Sequence, residues 1–549
     1  MPIRIGPIPV PMPVPMPALS AASVAAFVAA FVAALTAGCS TAPVYQRPTM
    51  TLPTAYRETY AGARSDYAQA SATPAHPGGP SHIAPEWWRA YGDKDLDALE
   101  ARVDITSQTV IKAVALLQDA RTQVSAARSQ FYPTVGAGAS VTSNHLSANV
   151  RGHSLAGHTT PDHALGITAS WEPDLFGRIR NEVDAAQARV DASADDVAAV
   201  RLGVQADIAI DYLAIRSLDR EAGLLTRTID TYQAVLDLVT NRYRNGIAIE
   251  GDVAQSRAQL ASTRAQLADV QLSRTQIEHA LATLLGESAS TFSLPARADA
   301  KIAHDMPTFG TTLDCTGNNC NNDDLYADIA QMPAAPRAVP SQLLERRPDI
   351  AAAERRVAAA NADIGVARAA FFPDLMLNLG LGFESSGLAG WLTAPSRFWA
   401  VGPAIAGTLF DGGRRQAGED SAYARFDASA ADYRQTVLRA MQEVEDGYAS
   451  VQALRDATDN DRIAADASAV ALRAGLDRYR LGAVSYLDVS VLQANALADA
   501  RALESVRRRA WTANVLLVKS LGGGWRASNG EEPSPHASKS SPSAMAHAQ

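Results

Sequence analysis

Aromatic residues are scarce in this 549-residue chain, at 6%, and charged residues make up only 19%. Such a chain builds a poor globular core, but its alanine-rich segments suit closely packed helices. Basic charge is not in excess: 49 Lys and Arg stand against 58 Asp and Glu, a net −9. That balance excludes nucleic acid as a partner, which would require a basic face. Beyond the N-terminus no run of about twenty apolar residues occurs, so no transmembrane helix is expected in the mature chain. A membrane β-barrel is not excluded, because its strands signal weakly. Also missing are His-Glu-x-x-His, Gly-x-Ser-x-Gly and a phosphate-binding glycine loop. No catalytic residue, metal site or soluble cofactor is assigned, and the chain does not read as an enzyme.

Cysteine is rare too, with three in all. Cys39 follows an apolar run, Ala18 to Ala37, that closes in Leu35-Thr36-Ala37-Gly38. A short hydrophobic region ending in small residues before a cysteine resembles a bacterial lipoprotein signal. The resemblance implies removal of 1–38 and attachment of diacylglycerol and acyl lipid to Cys39. A plain secretory signal and a buried thiol are the alternatives. Arg4 is the single charge in a proline-rich leader, which leaves Met12 and Met16 open as starts. Ser40, in place of aspartate, favours the outer over the inner membrane. Cys315 and Cys320 flank Thr-Gly-Asn-Asn; they either close a small structural disulfide in an oxidising compartment or remain two free thiols.

What is present is a repeat. NRYRNGIAIEGDV, starting at Asn241, returns as DRYRLGAVSYLDV, starting at Asp477. The shift is 236 residues, and self-similarity at long period is an architectural signal. Around each motif the chain follows one plan. A helical stretch ends in Phe131-Tyr132-Pro133, and its twin in Phe371-Phe372-Pro373. The period then drops to two: Val135, Ala137, Ala139 and Val141 share one face, as do Leu375, Leu377, Leu379, Leu381 and Phe383. A return strand follows each time, the second less regular and carrying Pro403. Each runs through Gly and Arg into a long helix, roughly 100 Å at 1.5 Å per residue in the first copy. Val183, Val190, Val197 and Val204 recur at sevens, the mark of coiled packing. After the motif a helix returns.

The expected boundaries are a signal at 1–38, a proline-dense extended arm at 39–92, a first repeat at 93–295 and an equatorial segment at 296–339. A second repeat spans 340–523, and a disordered tail 524–549. Strands are expected at 133–146 and 163–175, then at 373–386 and 397–410, with tip turns near Gly246 and Gly482. Four strands with uncovered apolar faces neither bury their edges nor fill a barrel alone. A closed barrel of several subunits facing lipid solves both problems.

These residues resemble the outer membrane factor family, the TolC-like channels, in the lipidated OprM/NodT-type branch. The resemblance rests on Cys39 with Pro43-Val44-Tyr45-Gln46-Arg47-Pro48, and on Trp87-Trp88 ahead of Tyr91-Gly92-Asp93. It rests also on Pro340-Ser341-Gln342-Leu343-Leu344-Glu345-Arg346-Arg347-Pro348-Asp349-Ile350. It implies a mostly α fold with a membrane β-barrel portion: a homotrimer whose twelve strands, four per protomer, continue as a long α-helical barrel. It implies an outer-membrane, lipid-anchored duct reaching into the periplasm, working with a periplasmic adaptor and an inner-membrane RND-type pump in drug or small-molecule efflux.

On that reading Gly246 and Gly482 turn the hairpins at the periplasmic tip. Arg242, Tyr243, Arg244, Arg478, Tyr479 and Arg480 are either tip links and adaptor contacts or ordinary solvated groups. Asp488 matches the first acidic ring position of the TolC type; the second is Val491 here. Asp488 either lines the closed aperture or is a helix N-terminal aspartate favoured by the dipole. Asp252, its first-copy counterpart, reads as a cap or surface residue. The rival functions are an exit duct for secreted proteins and a spacer lipoprotein without a pore.

Overall fold

A proline follows the helix that leads into each pair of strands. In the computed structural model, which describes residues 41–58, 83–149, 154–297, 333 and 346–525, α1 spans Lys94–Glu100, α2 Val103–Thr106 and α3 Gln108–Ser129. Helix α3 ends ahead of Pro133. Strands β1 (Thr134–His145) and β2 (Thr159–Trp171) follow, then α4 (Arg178–Arg244) and α5 (Glu250–Leu284). The second copy repeats the order: α6 (Pro348–Ala369) ends ahead of Pro373, then come β3 (Asp374–Ser385), β4 (Arg397–Ala406), α7 (Arg414–Arg480) and α8 (Tyr486–Ser520). Helices α4 and α7 have 67 residues each, and α5 and α8 have 35 each. No described helix is long and apolar enough to cross a membrane. Cys39, Cys315, Cys320, the leader, nearly all of 296–339 and the tail beyond Trp525 lie outside the described residues.

The described chain divides into two compact units. The first holds the sheet, an antiparallel meander in the order β1-β2-β3-β4. Its register sums the alternation of all four strands into one face. Ala137 lies opposite Ile167, Ile167 opposite Leu381, and Leu381 opposite Trp399. The reverse face carries Gly138, Gly166, Gly382 and Thr168. Apolar side chains on the first face are left open, Trp399 at 76% and Val135 at 66% exposure. The outer edges of β1 and β4 have no partner among the described residues.

Three strand limits differ from the sequence expectation, each for a local reason. Strand β2 starts at Thr159 instead of 163, because Thr159 to Pro161 still find partners in His145 to Ser143. It stops at Trp171 instead of 175, where the indole donates to the Phe131 carbonyl at 2.8 Å and Pro173 follows without an N–H. Strand β4 stops at Ala406 instead of 410, because its partner β3 begins at Asp374, just after Pro373. The return strand has 13 residues in the first copy and 10 in the second. Pro403 sits in an edge strand, where a missing donor is tolerated.

Residues 41–58 of the N-terminal arm form no helix or strand, and they are docked, whereas Trp87–Tyr91, expected to be extended, forms a short 3-10 helix whose aromatic rings are buried. In the first unit Thr41 Oγ1 donates to the Gly365 carbonyl at 2.8 Å and accepts from Asn181 Nδ2 at 3.1 Å. A Cβ on Gly365 would fall 2.6 Å from the Ala42 Cβ, so glycine is what lets the arm lie against α6. In the second unit the Glu445 carboxylate accepts the backbone N–H groups of Arg57 and Glu58 at 2.8 and 2.9 Å.

The core of the second unit gathers Trp87, Tyr91, Leu96, Tyr212, Leu281 and Trp511. Beside it Asp219, its side chain 2% exposed, accepts from Arg216 and Arg274 at 3.1 and 2.6 Å. A buried carboxylate is tolerable only when so paired.

Candidate functional site

The two Arg-Tyr-Arg motifs come together at one end of the second unit. Each closes a long helix with a Schellman turn. Gly246 stands at φ +73° and Gly482 at φ +78°, the left-handed region that glycine adopts without strain. The Ile247 N–H reaches back to the Arg242 carbonyl at 2.9 Å, and the Ala483 N–H to the Arg478 carbonyl at 2.9 Å. Both glycines act as the sequence predicts, and the turns are equally long.

What lies around the turns is not equal. Arg242 crosses from the first hairpin to the second and donates to the carbonyls of Tyr479 and Arg480, each at 3.0 Å. Its guanidinium carbon lies 4.4 Å from the centroid of the Tyr479 ring. A cation thus caps the C-terminal end of α7, where helix carbonyls lack partners and the dipole is negative, and also stacks on an aromatic face. Tyr479 is 4% exposed and packs on Tyr486, ring centroids 5.9 Å apart. Val235, Val239, Leu472, Leu476 and Val489 complete this small core. Burial raises the Tyr479 phenol above its ordinary value, opposed by Arg242; burial raises the Tyr486 phenol as well, opposed by a hydrogen bond with Ser256. Both rings stay neutral at physiological pH.

The twins of these groups in the opposite copy stand apart. Tyr243 is 45% exposed. The Arg478 side chain is exposed and makes no hydrogen bond or ion pair among the described residues. Arg244 is exposed, and Arg480 pairs with Asp477 at 3.0 Å.

Asp488 is exposed in the first turn of α8, where it completes a capping box. Ser485 Oγ accepts from the Asp488 N–H at 3.3 Å, and the Asp488 carboxylate accepts from the Ser485 N–H at 3.0 Å. The helix-end role is therefore occupied. Asp488 remains exposed in that role, so an aperture role is not displaced by it. Leu487 and Val491, exposed on either side of Asp488, make the surroundings apolar. Ser485 was readable as a cap from Ser-Tyr-Leu-Asp, a pattern overshadowed by the tip motif. The first hairpin lacks the device: Ile249 precedes α5 and offers no side-chain bond, and Asp252 is half-buried in the first turn.

The family described as outer membrane efflux protein matches the chain over 100–287 and 339–523, one stretch per repeat. A cation efflux system protein of Escherichia coli, CusC, is 29% identical over 493 residues, 89% of this chain and 96% of that one. A toluene efflux pump outer membrane protein of Pseudomonas putida, TtgF, is 28% identical over 498 residues, 89% of this chain and 95% of that one. Among solved structures, the outer-membrane channel OprN superposes with a TM-score of 0.73 at 26% identity, covering 89% of this chain and all of that one.

Proposed function

The chain belongs to the outer membrane efflux protein family, and we propose on that premise that three copies of it close a single passive exit duct. It is an outer-membrane efflux channel component of a tripartite system. Each copy would add its four strands to a twelve-stranded barrel, edge β4 of one copy pairing with edge β1 of the next. The observation that carries this is the sheet: one continuous apolar face left open, and two long edges without partners. Isolated, such a sheet is an aggregation hazard; closed into a ring in lipid, it has neither edge nor exposed face. A spacer without a pore would have no use for it.

Lipid on Cys39 would add an anchor to the docked arm. The hairpin ends, with Ile247 and Leu481 at 73% and 84% exposure, would offer apolar contact to a periplasmic adaptor and, through it, an inner-membrane RND-type pump. A threefold ring of Asp488 would favour cations at the constriction. Relatives named for cations and for toluene stand at almost equal identity, so likeness selects the machine and not its cargo.

Native mass spectrometry of the detergent-purified protein, followed by conductance in planar bilayers, tests the reading. Three copies and a cation-preferring pore, with the preference reduced in Asp488→Asn, are expected. A stable monomer without conductance would overturn it.

A further inference from the structure

Arg242 leaves a question about its twin. The 236-residue shift maps Arg242 onto Arg478, Tyr243 onto Tyr479, and Arg244 onto Arg480. Within the chain Arg242 and Tyr479 meet, and their twins Arg478 and Tyr243 do not. We propose that Arg478 of one copy clamps the end of α4 in the next copy, as Arg242 clamps the end of α7 in its own. The inference rests on the three-copy reading above and adds which residues form the seam.

The geometry is that of a ring with six related hairpins. Such a ring has six hairpin-to-hairpin contacts, three inside chains and three between them. If each contact runs in the same sense, the inter-chain ones can be made only by Arg478 and the Tyr243 end. The acceptors there match those already in use. The Tyr479 carbonyl takes the Gly482 N–H at 3.0 Å and still accepts Arg242. The Tyr243 carbonyl takes the Gly246 N–H at 2.9 Å and has the same second lone pair to offer. Tyr243 presents a ring at 45% exposure beside a helix C-terminus, a natural place for a guanidinium.

One substitution between the copies strengthens the case. Tyr486, which packs on Tyr479, has Glu250 as its first-copy twin. Among the described residues no ring packs on Tyr243, and the corresponding sequence position holds a carboxylate. Glu250 is exposed in the first turn of α5. An arginine arriving at this end would find a carboxylate as well as carbonyls and a ring. The seam between chains would thus be charge-assisted, whereas the junction inside each chain is aromatic.

Cysteine pairs decide it, in full-length protein in membranes with Cys315→Ser and Cys320→Ser as background. Arg478→Cys with Arg244→Cys, treated with a short bifunctional thiol reagent, should yield covalent dimers and trimers on denaturing gels. Arg242→Cys with Arg480→Cys should link only within the chain and leave the mass of one copy. A native trimer in which the first pair links no chains would overturn the seam and leave the channel standing; loss of the trimer in the unmutated protein would overturn both. In parallel, Arg478→Glu should lower the temperature at which the trimer dissociates, and adding Glu250→Arg should restore it. An Arg478→Glu trimer that dissociates like the unmutated protein would sink the proposal.

Discussion

The two hairpins are alike in length, turn type and motif, and unlike in what holds them. The second has a buried tyrosine, a capping box and a visiting arginine; the first has an exposed tyrosine, no side-chain cap, and lends its arginine away. Duplication copies a backbone plan without copying the environment of each side chain. Burial depends on which neighbours arrive: Tyr486 packs on Tyr479, and its counterpart in the first repeat is a carboxylate, Glu250.

The comparison can be broken most severely at the rings. Tyr479→Ala removes a buried aromatic and is expected to cost about 3 kcal/mol at the second hairpin. Tyr243→Ala is expected to cost about 1 kcal/mol or less. Site-resolved hydrogen exchange should show amide protection near Ala483 falling about a hundredfold in the first variant and little near Ala248 in the second. Equal losses would mean that the two rings are equivalent after all.

A smaller effect is expected from Arg242→Ala, which forfeits two carbonyl bonds and a cation–π contact. About 2 kcal/mol is reasonable for that set. The loss should appear as faster exchange at the end of α7, in the hairpin that Arg242 does not belong to. Exchange rising only around Asn245 would contradict the crossing.

The caps provide the finest adjustment. Ser485→Ala should destabilise the start of α8 by about 1 kcal/mol. Ile249→Ser places Ser-Glu-Gly-Asp across the start of α5 and recreates the missing box with Asp252. It should stabilise the first hairpin by roughly 0.5–1 kcal/mol. Slower exchange in the first turn of α5 checks it; unchanged exchange would show that Asp252 cannot reach back.

Much of the architecture was legible because it is written in local rules. Proline stops α3 and α6, period-two alternation marks β1 and β3, and a glycine at each turn supplies positive φ. Strand ends were harder, since a ladder ends where its partner does: Ala406 is the end of β4 because Pro373 precedes β3. The docking of the arm was hidden for a related reason. Proline density says what 41–58 cannot form, but not that Glu445, 388 residues from Arg57, supplies two acceptors to its backbone. At the hairpins, the motif did not tell Tyr243 from Tyr479. Two identical residues cannot be ranked from their own neighbourhood when the deciding partner lies on another helix.

The matched 67-residue helices impose a last constraint. A guanidinium bridging two hairpins tolerates almost no vertical slip, because four added residues in one helix would carry its end about 6 Å past its twin. Insertions confined to the hairpin of α4 and α5 or to that of α7 and α8 should therefore be ruinous where equal insertions in all four helices are tolerated. The molecule behaves as a caliper whose jaws must be lengthened together.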